Sequence, residues 1–160
     1  NLAKWAGINP FALLNETFGG SGYDIACANA KKALLYSWKM ERPEIEDCDF
    51  DPNFKNALYF VYLNQKINSR QAVKEFMKKD INDREITRAN ELSLLISTSE
   101  SLSEFELLLW EHERFIGQLL SIEPIKEKYF KDFKGAVKSL GAWGGRFYPG
   151  NWRLQYTKLF

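Results

Sequence analysis

The stretch Gly19-Gly20-Ser21-Gly22-Tyr23-Asp24-Ile25-Ala26-Cys27-Ala28 runs three glycines and a serine up to an aspartate, then continues with small and apolar residues suited to a helix. Glycine reaches backbone conformations with φ > 0 and lets a ligand come close. An aspartate at a helix start is also a good N-cap, but a cap needs one residue, not a Gly-Gly-Ser-Gly approach. Two readings are open. One is a capped turn without a ligand. The other is a cradle in which Gly20, Ser21 and Gly22 offer backbone N–H groups to an anionic or hydroxylated ligand beside the Asp24 carboxylate.

Working outward, Asn1-Leu2-Ala3-Lys4-Trp5-Ala6 reads as a helix ended by Gly7. Asn9 and Pro10 suit the cap and first turn of a second helix, whose apolar side is Phe11, Leu13, Leu14 and Phe18. Ala33 to Trp38 reads as a strand. Residues 41–55 hold Pro43, Pro52 and six acidic residues, Glu41, Glu44, Glu46, Asp47, Asp49 and Asp51. They form a solvated connector or an edge hairpin, and they are the best candidate for a boundary between two lobes. Ala57 to Leu63 is a nearly continuous apolar run, which predicts a central strand buried on both faces.

Helices dominate the chain beyond Leu63. Asn68 or Ser69 starts one, with Val73, Phe76 and Met77 on its inner side. Asn82 with Glu85, and Ser101 with Glu104, have the spacing of capping boxes. The helix after Ser101 carries Phe105, Leu108, Leu109, His112, Phe115, Ile116 and Leu119 at 3-4 spacing, so His112 is expected as a hydrogen-bonded core histidine. Pro124 ends or restarts helical structure. A few strands among four or five helices leave the class open, on these grounds alone, between a helix-rich α+β and mostly α.

The 160 residues suffice for one domain with a core, and 45% apolar content with 5 Trp, 7 Tyr and 12 Phe argues for a folded globule. A net charge of +1 gives no global pull toward nucleic acid or an anionic membrane. Cys27 and Cys48 make no disulfide framework, and no apolar run is long enough to span a bilayer. The expected compartment is the cytoplasm. His112 is the only histidine, so no multi-histidine metal centre is expected, and Glu111-His112-Glu113 lacks the second histidine of a zinc protease motif.

The motif Gly22-Tyr23-Asp24-Ile25-Ala26 resembles the catalytic-aspartate segment of the GHMP kinases, the superfamily of galactokinase, homoserine kinase, mevalonate kinase and phosphomevalonate kinase. Within that superfamily it is most similar to the bacterial group named for its Gly-Tyr-Asp-Ile-Ala motif. A second match comes in the expected order: Lys138-Ser139-Leu140-Gly141-Ala142-Trp143-Gly144-Gly145 resembles the late glycine-rich motif. The resemblance covers Asn1 to Gly145. It implies the end of a ribosomal protein S5-like N-terminal lobe over residues 1–40, an acidic connector over 41–55, a C-terminal lobe of ferredoxin-like plait over 56–145, and a divergent tail over 146–160. It also implies phosphoryl transfer from ATP with Mg²⁺ to a hydroxyl or phosphate of a small-molecule acceptor, of the mevalonate or phosphomevalonate type.

On that resemblance Asp24 is the catalytic residue, Ser21, Gly22, Tyr23, Ser69 and Arg70 face the acceptor, and Gly20, Gly141, Gly144 and Gly145 line the phosphate side. The family's main Gly-Ser-Ser phosphate loop would precede Asn1, so the 160 residues are expected to be an incomplete part, inactive alone and able to pair with a second copy. After Gly145 the family pattern stops, and Arg146-Phe147-Tyr148-Pro149-Gly150 interrupts any strand. An alternative function starts from residues 126–160, where eight basic and two acidic residues alternate with aromatics. Such a pattern binds single-stranded nucleic acid by stacking and phosphate contacts.

Overall fold

Local signals place the first helices where the sequence predicts them. The computed structural model describes residues 2–17, 19–39, 42–63, 76–140 and 155–158. Helix α1, Leu2–Ala6, ends at Gly7 with φ 65°, and the N–H groups of Gly7 and Ile8 close onto the carbonyls of Lys4 and Ala3. Helix α2, Pro10–Thr17, is capped by Asn9, whose Oδ1 accepts from Phe11 N (2.8 Å) and Ala12 N (3.2 Å). The glycine turn comes next, then helix α3, Tyr23–Asn29.

Strands β1, Ala33–Lys39, and β2, Arg42–Cys48, pair antiparallel, with Ala33 opposite Cys48 and Lys39 opposite Arg42. Of the two forms open to residues 41–55, the hairpin is therefore the one formed by 42–48. Its acidic side chains are matched by lysines on the opposite strand and just before it: Lys39 to Glu44 and Lys32 to Asp49, each at 2.6 Å. The chain divides into two compact units, Asn1–Phe50 and Asp51–Phe160.

The second unit has its core around two packed helices, α4, Asp83–Thr98, and α5, Leu102–Leu120. Both starts carry the expected side-chain cap, but only the first is the full capping box that the spacing predicts. Asn82 Oδ1 accepts from Arg84 N and Glu85 N, while Glu85 Oε2 accepts from Asn82 N at 2.9 Å. Ser101 Oγ accepts from Glu104 N at 3.3 Å, but Glu104 reaches back to Glu100 N rather than to Ser101 N. Leu92, Phe105, Leu108 and Phe54 are the buried apolar residues of this unit among those described, and the Phe54 and Phe105 rings meet at 5.2 Å. Helix α5 ends at Ser121 in the left-handed region, after which Pro124 precedes the short helix α6, Ile125–Tyr129.

Two expectations are corrected here. The strand read over Ala57 to Leu63 is only β3, Tyr59–Tyr62, paired antiparallel with β4, Gln155–Lys158. It is not buried on both faces, because Tyr59 and Phe60 are 56% and 44% exposed. Among the described residues the β3–β4 sheet has two strands. Phe76 and Met77, read as inward-facing, are both exposed. Phe76 closes a turn through its carbonyl to Lys79 N, so helical spacing no longer defines a buried face there. The class is mixed α+β, with several helices and small two-stranded antiparallel sheets.

Candidate functional site

The glycine turn of the first unit is held from three sides. Gly19, Gly20 and Gly22 all have positive φ, at 66°, 111° and 78°. Gly22 has no alternative on steric grounds as well, since a Cβ there would lie 2.8 Å from the Phe11 ring of α2. From β1, the Tyr36 hydroxyl donates to the Ser21 carbonyl, and the Tyr36 ring meets Tyr23 edge-on at 5.6 Å. Burial raises the Tyr36 pKa, so this hydroxyl stays protonated and able to donate. Tyr23 is raised too, chiefly by its hydrogen bond with Cys27 and then by burial. Helix, turn and strand thus fix one loop conformation, in which Ser21 Oγ accepts from Tyr23 N at 3.3 Å.

What the loop leaves free is chemically specific. Among the described residues, the N–H groups of Gly20, Ser21 and Gly22 make no hydrogen bond. The N-cap of α3 is Gly22, and no side chain caps this helix. The capped-turn reading of Asp24 therefore does not apply. Asp24 sits in the first turn of α3, exposed, with no hydrogen bond or ion pair to any described residue. Within the first unit its carboxylate opens on solvent, adjacent in sequence to the free N–H groups. Of the residues expected to join it, Ser69, Arg70, Gly141, Gly144 and Gly145 lie outside the described residues. The structure thus brings Gly20, Ser21, Gly22, Tyr23 and Asp24 together in one loop-to-helix turn. Sequence reading missed Phe11 and Tyr36, which hold it.

The second unit contains a buried acid that the apolar stripe of α5 conceals. Glu113 is completely buried, one turn from Leu109 and one from Gly117. Its carboxylate accepts from Ile125 N (3.2 Å), Ser139 N (3.0 Å) and Ser139 Oγ (2.9 Å). Lys138 is largely buried beside it, and loss of solvent lowers the lysine's pKa against the opposing pull of Glu113. His112 is half-buried, and its buried Nδ1 has no hydrogen-bond partner among the described residues. Burial, with a smaller contribution from Lys138, lowers its pKa to about 4.

On α5, Arg114 lies over the Trp110 ring at 5.9 Å; from the start of the basic-aromatic region Lys126 lies over the same ring at 5.7 Å, and Lys128 lies over Tyr129 at 5.3 Å. Among the described residues, no group of three or more His, Cys, Asp or Glu is placed to hold a metal ion, and no helix is long and apolar enough to cross a membrane. Comparison with protein-family models, curated proteins and solved structures finds no match for this chain.

Proposed function

We propose that these residues are part of an ATP-dependent small-molecule kinase of the GHMP type, whose C-terminal lobe begins in the second unit. The observation that carries the reading is the glycine turn itself. In this turn the N–H groups of the exposed Gly20 and Ser21 have no hydrogen-bond partner among the described residues, and beside it stands the Asp24 carboxylate, which does not cap the helix. Phosphoryl transfer asks a protein for alignment, charge stabilisation and management of one proton rather than for covalent chemistry. The loop supplies N–H donors for an anionic acceptor or for phosphate oxygens. Asp24 orients an acceptor hydroxyl and takes its proton as oxygen bonds to the γ-phosphorus and ADP leaves. Where the acceptor is itself a phosphate, Asp24 has no proton to take and acts on alignment alone.

Mg²⁺ is commonly bound through one or two carboxylates and the substrate's own phosphates. In this reading Mg²⁺ would be held mainly by the ATP phosphates, and Asp24 acts on the acceptor.

The test uses the product of the complete gene that encodes these residues. Calorimetry should show ATP binding. Asp24→Asn should lower kcat by about 10²–10⁴-fold while changing nucleotide affinity by no more than about threefold. Absence of ATP binding, or full turnover in the Asp24→Asn protein, would overturn the reading.

A further inference from the structure

Residues 135–139 lie along α5 as a strap, in neither helix nor strand. Glu106 and Glu113 are seven residues apart on α5, which places them on one face with a rise of about 10.5 Å between them. Extended chain covers about 10 Å in three residues. Ala136 and Ser139 are three residues apart, and their N–H groups donate to Glu106 Oε1 (3.4 Å) and Glu113 Oε2 (3.0 Å). The Ser139 hydroxyl adds a third bond, to Glu113 Oε1 at 2.9 Å. Close approach is built in at Gly135, where a Cβ would lie 2.8 Å from Glu106 Oε1. Among the described residues no backbone–backbone hydrogen bond joins the strap to another element, so side-chain carboxylates hold it down.

His112, next to Glu113 on the helix, has a buried Nδ1 with no hydrogen-bond partner among the described residues. The described charge that acts on its ring is Lys138, from the strap. Lys138 Nζ donates to the Ser139 carbonyl at 3.3 Å, which keeps the ammonium close to the bonds that pin the strap. Charges from the other neighbouring elements are engaged elsewhere. Arg88 of α4 is held by Glu111 and Glu91, Lys126 of α6 lies over the Trp110 ring, and Glu113 is committed to Ile125 N and Ser139. A proton on His112 would put a second cation beside Lys138 in a half-buried place, with no described acceptor for the buried N–H. Lifting the strap removes both penalties, because it takes Lys138 away and lets water reach the ring. We propose that residues 135–139 are a strap released by acid, with His112 as its proton sensor and Glu113 as its latch. The sign follows from linkage. Burial first and Lys138 second hold His112 at about 4 under the closed strap, against an ordinary 6.5, so the open form takes the proton first. Opening is therefore favoured progressively as pH falls from 6.5 toward 4, and levels off below.

The experiment is hydrogen–deuterium exchange on the complete gene product at pH 7 and pH 4.5. It follows peptides spanning residues 135–140, with peptides within α4 as the reference, and divides each rate by that of the same unfolded sequence. Wild type should open the strap about fivefold more often at pH 4.5 than at pH 7, after discounting for solvent that already reaches the half-buried ring. The strap should also open far more often than α4 exchanges, because it lifts without unfolding the helices. His112→Gln and His112→Phe, one polar and one apolar, have no group to titrate there. Either of them, once folded, should bring the ratio between the two pH values close to one. Glu113→Gln presents an amide N–H₂ to one of its donors, so it should open the strap about tenfold more often at pH 7. A packing role for His112 would shift opening equally at both pH values and leave the fivefold ratio in place. Protonation of Glu106 or Glu113 as the trigger would likewise leave that ratio in the His112 variants. Either result overturns the proposal, as does a wild-type ratio near one or a strap that exchanges only as fast as α4. No readout involves ATP, so the kinase reading stands or falls separately.

Discussion

At the scale of single residues, the glycine turn separates what is required from what is free. Gly22 combines a φ of 78° with a neighbour 2.8 Å from any added Cβ. Gly22→Ala should destabilise the first unit by about 1–3 kcal/mol in chemical denaturation, through backbone strain and a displaced Phe11 ring. Asp24→Ala should cost less than about 1 kcal/mol, since its carboxylate gives the helix only a favourable first-turn charge. That contrast is the signature of a side chain not needed for folding. His112 makes a pH prediction. Its folded pKa, about 4, lies below the ordinary 6.5, so the unfolded chain binds the proton first. Stability is therefore full above pH 6.5, falls as pH drops toward 4, and levels off below. After discounting for solvent reaching this half-buried ring, the loss is on the order of 1 kcal/mol. Stability measured between pH 7 and 4 should show this slope, and His112→Leu should flatten it.

At the scale of elements, what could be read from the sequence tracks the range of the forces involved. Caps are local, completed within three or four residues, and Asn9, Asn82 and Ser101 each accept the backbone bonds their spacing predicts. Asn82→Ala should lower stability by about 1 kcal/mol, because it removes the Oδ1 that accepts from Arg84 N and Glu85 N while leaving the backbone bond to Glu85; urea denaturation measures it. Strand burial is not local. An apolar run such as Ala57 to Leu63 has the same composition whether two layers cover it or none, and β3 proves to be four residues long with Tyr59 and Phe60 exposed. Glu113 was illegible for a related reason. Charged residues on helices usually mark a solvated face, and nothing within four residues of Glu113 announces that Ser139, 26 residues on, will bring it two hydrogen bonds.

At the scale of the molecule, burial is unevenly shared between the units. In the first, the buried apolar residues among those described are Ala3 and Ala26, while Trp5 is 85% exposed. Burying a large apolar side chain contributes about 1.5–3 kcal/mol, and the first unit buries none among its described residues. Its β1–β2 hairpin is two-stranded, a size that is marginal by itself in water. In the second unit, Leu107 and Met77 are 65% and 76% exposed. Uncovered apolar side chains and open strand edges favour association. The purified 160-residue chain should therefore scatter light above the 18.6 kDa of one copy and bind a dye for exposed apolar surface. A sharp melt from a monomer without dye binding would contradict this.

Sequence alone marked the caps at Asn9, Asn82 and Ser101 and the glycine turn with Asp24 beside it, because each depends on residues a few positions apart. Gly19, Gly20 and Gly22 could be assigned to a turn needing positive φ without any knowledge of the fold. Tertiary structure decided which strand stays exposed and which aromatics brace the turn. It also decided that a glutamate, not only apolar side chains, lies at the centre of α5. Those outcomes depend on the free energy of burying a group against partners distant in the chain, and that term acquires a value only when the partners meet.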